Sequence, residues 1–106
     1  MSLSELPIVS LPLGGKKYFL YVAETDEQKF QGLSGISRLP DNAGMLFPYD
    51  DDRVRTFQFR DTLLPLLVYF IGSDGKVIQR SSAYPGCPPI TCSKPCRYVI
   101  EVPLGV

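Results

Sequence analysis

Apolar and polar positions alternate over several short stretches of the chain, and a period of two predicts strands. Residues 6–13 are mostly apolar but include Pro7 and Pro12. Proline has no N–H to give to a ladder, so this stretch belongs at a sheet edge. Gly14-Gly15 then suits a two-residue hairpin turn. In residues 16–23, Tyr18, Leu20 and Val22 share one face and Phe19 and Tyr21 the other. Residues 44–47 are short and apolar, and residues 54–59 alternate. Residues 66–71 are an unbroken apolar run, which predicts a central strand covered on both faces. Residues 76–80 form a strand that fades into polarity, and residues 97–102 a last strand with Tyr98, Ile100 and Val102 on one face. Turns are expected at 48–52 and 72–75, and a loop over 82–96 that holds four prolines and all three cysteines.

Residues 25–35 break the period. Thr25-Asp26-Glu27-Gln28 is a capping box, in which the Thr hydroxyl accepts from the Gln28 N–H and Gln28 reaches back to the cap. Asp26 and Glu27 sit where the helix dipole favours negative charge. Phe30 and Leu33, three apart, are expected on one helix face, with Gly32 and Gly35 ending the element. The result is one short helix of about two turns, stable only if it packs on a sheet. Short strands, one helix and many prolines together predict an all-β domain. The expected architecture is an antiparallel β-sandwich of jelly-roll type, or a partly closed barrel.

Composition narrows the function. The chain has 106 residues, enough for one domain and too few for two. Lys plus Arg and Asp plus Glu each number 11, so no general electrostatic grip on nucleic acid is expected. No stretch is long and apolar enough to span a bilayer. Histidine is absent, which removes the usual general base, the usual triad partner and the commonest metal ligand. No catalytic residue, cofactor or metal is therefore assigned. Met1-Ser2-Leu3 reads as a vector-derived extension rather than a signal peptide, because it lacks a basic and an apolar region.

The main candidate for binding is a polar stripe. On a strand through residues 54–60, Thr56, Gln58 and Arg60 face one way and Arg55, Phe57 and Phe59 the other. Such a row could hold a polar or anionic ligand such as a sugar or a carboxylate, with Arg80 and Tyr84 as flanking residues. The competing reading is a solvated sheet face. The Asp61-Thr62 corner after Arg60 is either a ligand-binding corner or an Asx or Ser/Thr turn. Asp50-Asp51-Asp52 lacks the spaced carboxylates that calcium requires and reads as a solvated turn. Ser34 has no histidine partner, and Gly14-Gly15 precedes no helix that could cradle a phosphate.

The order of signals resembles a known family. Gln31-Gly32-Leu33-Ser34-Gly35, Leu39-Pro40, Gly44-Met45-Leu46-Phe47, Phe57, Asp61-Thr62-Leu63-Leu64-Pro65-Leu66, Asp74-Gly75-Lys76-Val77, Cys87 with Cys92, and Arg97-Tyr98-Val99-Ile100-Glu101-Val102 follow one another as in the small bacterial and archaeal domain-of-unknown-function family 192. The resemblance implies a jelly-roll β-sandwich and frequent export, hence a periplasmic or secreted location, but no activity. The chain departs from the family pattern at Gln58-Phe59 (usually Trp-Met), at Arg60-Asp61-Thr62 (usually Lys-Asn-Thr) and at Leu67 (usually Asp). The family pattern also continues into a further short C-terminal strand. Cys87 and Cys92 match the family pair, and a Cys87–Cys92 disulfide is the leading reading, ahead of free thiols or a metal site. Zinc is disfavoured for want of a fourth ligand, and Cys96 is expected to pack as a small apolar residue. The function expected is an exported, non-enzymatic domain binding a small polar ligand or a protein. The alternative is a small enzyme or accessory factor working at the Thr56/Gln58/Arg60 face, which would need a concave pocket and a titratable group of displaced pKa. A third reading is an envelope-assembly subunit joined by strand addition at the edge near residues 8–11.

Overall fold

The computed structural model describes residues 3–105, so Met1 and Ser2 of the expected N-terminal extension lie outside the described residues. A 3-10 turn over Leu3–Glu5 leads into β1 (Ile8–Leu13) and β2 (Lys16–Val22). Helix α1 (Asp26–Gln31) follows, then β3 (Ala43–Arg53), β4 (Thr56–Phe57), β5 (Leu66–Ile71), β6 (Val77–Ala83), β7 (Ile90–Thr91) and β8 (Cys96–Pro103). Six strands form one sheet in the order β1-β2-β3-β8-β5-β6, and β4 pairs with β7 in a separate ribbon.

β2 and β3 run parallel, while every other paired neighbour is antiparallel. The expected antiparallel jelly-roll sandwich is thus corrected to a mixed sheet with a two-stranded ribbon. Helix α1 is the cause. A tight turn reverses a chain, whereas a helical crossover carries it back to its starting end, so the next strand runs parallel. The sheet does not close into a barrel either, since β1 and β6 each have one neighbour. It does curl: a Cβ on Gly14, at the β1–β2 turn, would sit 3.4 Å from the Tyr69 hydroxyl on β5.

Both faces are apolar. Met45, Phe47, Val68, Phe70 and Val99 line the face shared with Leu33, Phe59, Cys92 and Cys96. Tyr18, Leu20, Tyr69, Ile71, Ile100 and Val102 line the other. β5 is the central, doubly covered strand that its apolar run predicts, and β8 beside it is buried on both sides as well. β3 and β8 approach so closely that a Cβ at Gly44 would overlap the Glu101 carbonyl oxygen. Glycine is required there for want of room, not for an unusual backbone angle. β1 lies at the edge as its prolines predict, and Pro12 is paired only with Lys17.

Three local expectations are corrected. The acidic stretch 50–52 is not a free turn but the far half of β3, where pairing with β8 jumps from Pro48–Tyr98 to Arg53–Cys96. A bulge of this kind lets one strand carry extra residues. Its carboxylates meet arginines: Asp51 pairs with Arg53 and Arg55, and Asp52 with Arg97. Phe30 and Leu33 do not share a face, because Gly32 ends the helix at φ +50° and Leu33 turns into the core.

The third correction concerns the cysteines. Cys87 and Cys92 are not joined, and all three cysteines are free. Other contacts hold the two residues in the loop. Cys87 donates its N–H to Tyr84 O in a turn (2.9 Å), while Cys92 follows β7 into the core. There its Sγ accepts from Arg55 N (3.1 Å) and lies 3.6 Å from Cys96 Sγ. Cys96 packs as the small buried residue expected, and burial pushes its thiol up to about 12. Thiol titration of the unfolded protein should return three groups; a count of one would mean that a disulfide forms after all.

Candidate functional site

Capping positions the helix that walls the site. Thr25 is extended, its hydroxyl accepts from Gln28 N (3.1 Å), and Gln28 Oε1 accepts from Thr25 N (3.2 Å) and Glu24 N (2.9 Å). The Gly32 N–H closes the last turn onto Gln28 O. Three residues later the Gly35 N–H donates to Asp61 O (3.0 Å). This last bond ties the helix exit to the turn at 59–62, which Thr62 N closes onto Phe59 O (3.3 Å).

Between these two segments lies a cleft of about 990 Å³. One wall is Asp26, Lys29, Phe30 and Gln31 with Ser34 and Gly35, and the other runs through residues 53–58 to Arg60 and Asp61. Thr56, Gln58, Arg60 and Asp61, four of the residues singled out from the sequence, line it together. Only Thr56–Phe57 is a regular strand, yet the alternation persists. Thr56, Gln58 and Arg60 are exposed, Phe57 is half-buried and Phe59 is buried. The Thr56 hydroxyl bonds to that of Thr91 on β7 (2.8 Å), and Arg60 Nη2 donates to Gln58 Oε1 (3.1 Å). Arg80 and Tyr84 do not line the cleft.

The cleft is cationic in a chain of zero net charge. Lys29, Arg53, Arg55 and Arg60 line it against Asp26 and Asp61. Arg55 is committed to structure. Its Nη2 donates to Asp51 Oδ1 (2.8 Å), its Nε to Cys96 O (3.2 Å), and its guanidinium lies 3.6 Å from the Tyr49 ring centre. The hydrogen bond from Arg55, helped by Arg53, holds the Asp51 carboxyl below the usual range. Burial pushes the Tyr49 phenol up to about 12 although Arg55 opposes it. Lys29 Nζ also meets the Tyr49 ring, 4.1 Å from its centre. Among the described residues neither Lys29 nor Arg60 is ion-paired. Beside these cations Phe30 is 92% exposed.

A narrow well of about 40 Å³ lies below, sharing Lys29, Phe30, Gln31, Ser34, Phe57 and Gln58 with the cleft. Its depths are Phe47, Phe59, Thr62 and Glu101. Thr62, the fifth residue singled out, is therefore a buried member of the same system rather than part of the exposed stripe. Glu101, from β8, is 4% exposed, and burial alone pushes its carboxyl up to about 8. Among the described residues no protein hydrogen bond reaches that carboxyl or the Thr62 hydroxyl, and no side-chain polar atom sealed from solvent lacks a partner, so both groups open on the well. Sequence reasoning missed Lys29, Phe30, Tyr49 and Glu101. The last had a signal: Glu101 is a charge within the apolar stretch of residues 98–102, on the same face as Val99.

A curled mixed sheet with a helix-walled cationic cleft defines a small β-rich domain with a ligand-sized site. The chain belongs to the domain-of-unknown-function family 192, described as "Uncharacterized ACR", whose model matches residues 9–106. Among solved structures it is similar to a candidate transcription regulator from Sinorhizobium meliloti, at 28% identity and a TM-score of 0.79, covering 92% of this chain and 79% of that one. It is also similar in fold to a protein of unknown function from Novosphingobium aromaticivorans, at 23% identity and a TM-score of 0.78, covering 99% and 86%. No curated protein matches.

Proposed function

We propose that this chain is a binding domain that takes a small organic anion in the cleft between α1 and residues 53–61. The observation that carries the reading is the pair of cations without carboxylate partners, Lys29 and Arg60, facing the same space as the exposed ring of Phe30. A cation released from internal pairing is available to a ligand carboxylate, and an arginine fork suits that geometry. The exposed ring offers apolar contact for the ligand's body. A nucleic-acid role, which the name of the Sinorhizobium relative would suggest, draws no support from a neutral chain whose helix has six residues. An extracytoplasmic location rests on the family resemblance.

The test uses butyrate as the probe. Arg60→Ala should weaken butyrate binding about tenfold, the loss of one charge-assisted contact. Unchanged affinity would remove the reading. The alternative of a small enzyme at the same cleft is favoured by one observation, the displaced carboxyl of Glu101 at the floor of a concave site. Deuterium entering a C–H position of a bound acid in heavy water would support it.

A further inference from the structure

We propose that the well beneath the cleft is a subsite for a primary ammonium group, so that the ligand of this protein is a small organic zwitterion rather than a simple anion. The second half of this statement rests on the anion reading of the cleft; the first half stands on the well alone. Glu101 is 4% exposed, its carboxyl has no protein donor, and its access to solvent is through a cavity that shares lining residues with the cleft. A buried carboxyl without a donor is costly unless something supplies one. The Thr62 hydroxyl lies in the same well, also without a protein partner. Phe47, Phe57 and Phe59 form the remainder of its depth, and aromatic rings attract cations. A space of about 40 Å³ holds one small polar group and excludes a ring or a branched head.

An ammonium group meets these conditions together. It donates to the carboxylate and to Thr62 Oγ1, and it brings a positive charge to a carboxyl whose pKa no neighbouring cation lowers. The titratable and charged neighbours are few: Lys29 from α1 lines the well, and Tyr49 of β3 lies close enough to feel the Glu101 charge. Binding at neutral pH then proceeds with exchange of charge. Neutral Glu101 gives its proton to the buffer, and the ligand ammonium pairs with the carboxylate left behind. Arg60, which lines the cleft but not the well, remains for the anionic end.

Three four-carbon probes separate the two halves: butylammonium, butyrate and 4-aminobutyrate. Glu101→Gln keeps the side-chain shape and removes the charge. It should weaken butylammonium and 4-aminobutyrate about tenfold or more while leaving butyrate within about twofold. Arg60→Ala should do the reverse, weakening butyrate and 4-aminobutyrate and sparing butylammonium. Calorimetry in buffers of different ionisation enthalpy should show proton release on butylammonium binding to the native protein and none for Glu101→Gln. Butylammonium affinity unchanged by Glu101→Gln would overturn the subsite. So would the failure of butylammonium at roughly 10 mM to shift the resonances of Glu101, Thr62 and Phe57. Glu101-dependent butylammonium binding with no butyrate binding would keep the subsite and discard the anion reading instead.

Discussion

Raising the pH from 5 to 8.5 should destabilise the native protein by several kcal/mol, and Glu101→Gln should abolish most of that loss. The folded-state pKa of Glu101 stands near 8, against an ordinary value of 4.5, because burial disfavours the charged form. The folded state therefore holds this proton more tightly than the unfolded chain. Its contribution is fully present below pH 4.5 and disappears as the pH rises through 8. At about 1.4 kcal/mol for each pH unit between the two values, the ceiling is roughly 5 kcal/mol. The measured loss will fall below that ceiling, because the well lets water reach the carboxylate. Thermal melts between pH 5 and 8.5 should show the midpoint falling for the native chain and staying level for Glu101→Gln. Parallel curves for the two proteins would mean that Glu101 is ionised without penalty. Asp51 acts in the opposite sense and in a different range. Its lowered pKa gives stability that is lost only as the pH falls below the ordinary carboxylate value.

Phe70→Ala should cost about 3–5 kcal/mol, a large part of the total stability of a domain this size. Phe70 is fully buried on β5, one of the two inner strands covered on both faces. Truncation removes apolar burial and leaves a cavity that the rigid sheet cannot fill. The site should feel the loss too. Phe70 meets the edge of Phe57 at 6.1 Å between ring centres, and Phe57 in turn meets Phe47 at 5.1 Å. Phe47 and Phe57 line the well, so a loosened core should weaken butylammonium binding in the fraction still folded. Phe30→Ala provides the contrast. At 92% exposure it should change stability by less than about 0.5 kcal/mol. Chemical denaturation of both variants checks the pair, and equal losses would mean that the ring of Phe30 is covered in solution.

How much of this was legible depends on where each signal came from. The unbroken run Leu66–Ile71 was readable because a strand covered on both faces has no polar positions to spare, and residues 97–102 were readable from the alternation of Tyr98, Ile100 and Val102. The Thr25–Gln28 capping box located α1 by local chemistry that needs no tertiary partner. That same helix also determined the parallel pairing of β2 and β3, which turn chemistry alone does not show. The far half of β3 was hidden because three aspartates read as solvent, whereas Arg53, Arg55 and Arg97 neutralise two of them on the sheet. Alternation identified Thr56, Gln58 and Arg60 as outward-facing, and they do line the cleft. The opposite wall could not be read, because Lys29 and Phe30 are brought across by the contact of Gly35 with Asp61, a tertiary bond without a local pattern. Glu101 was visible only as a charge in an apolar strand, and its depth follows from the strand order.

That strand order has a consequence for biosynthesis. β8, the last of the described strands in chain order, lies between β3 and β5 and joins two halves that otherwise have no shared ladder. Until it emerges, β3 and β5 each present an open apolar margin, the kind of surface that invites aggregation. Nascent chains of this protein should therefore depend on chaperone shielding through most of translation, and the sheet should assemble in one late step.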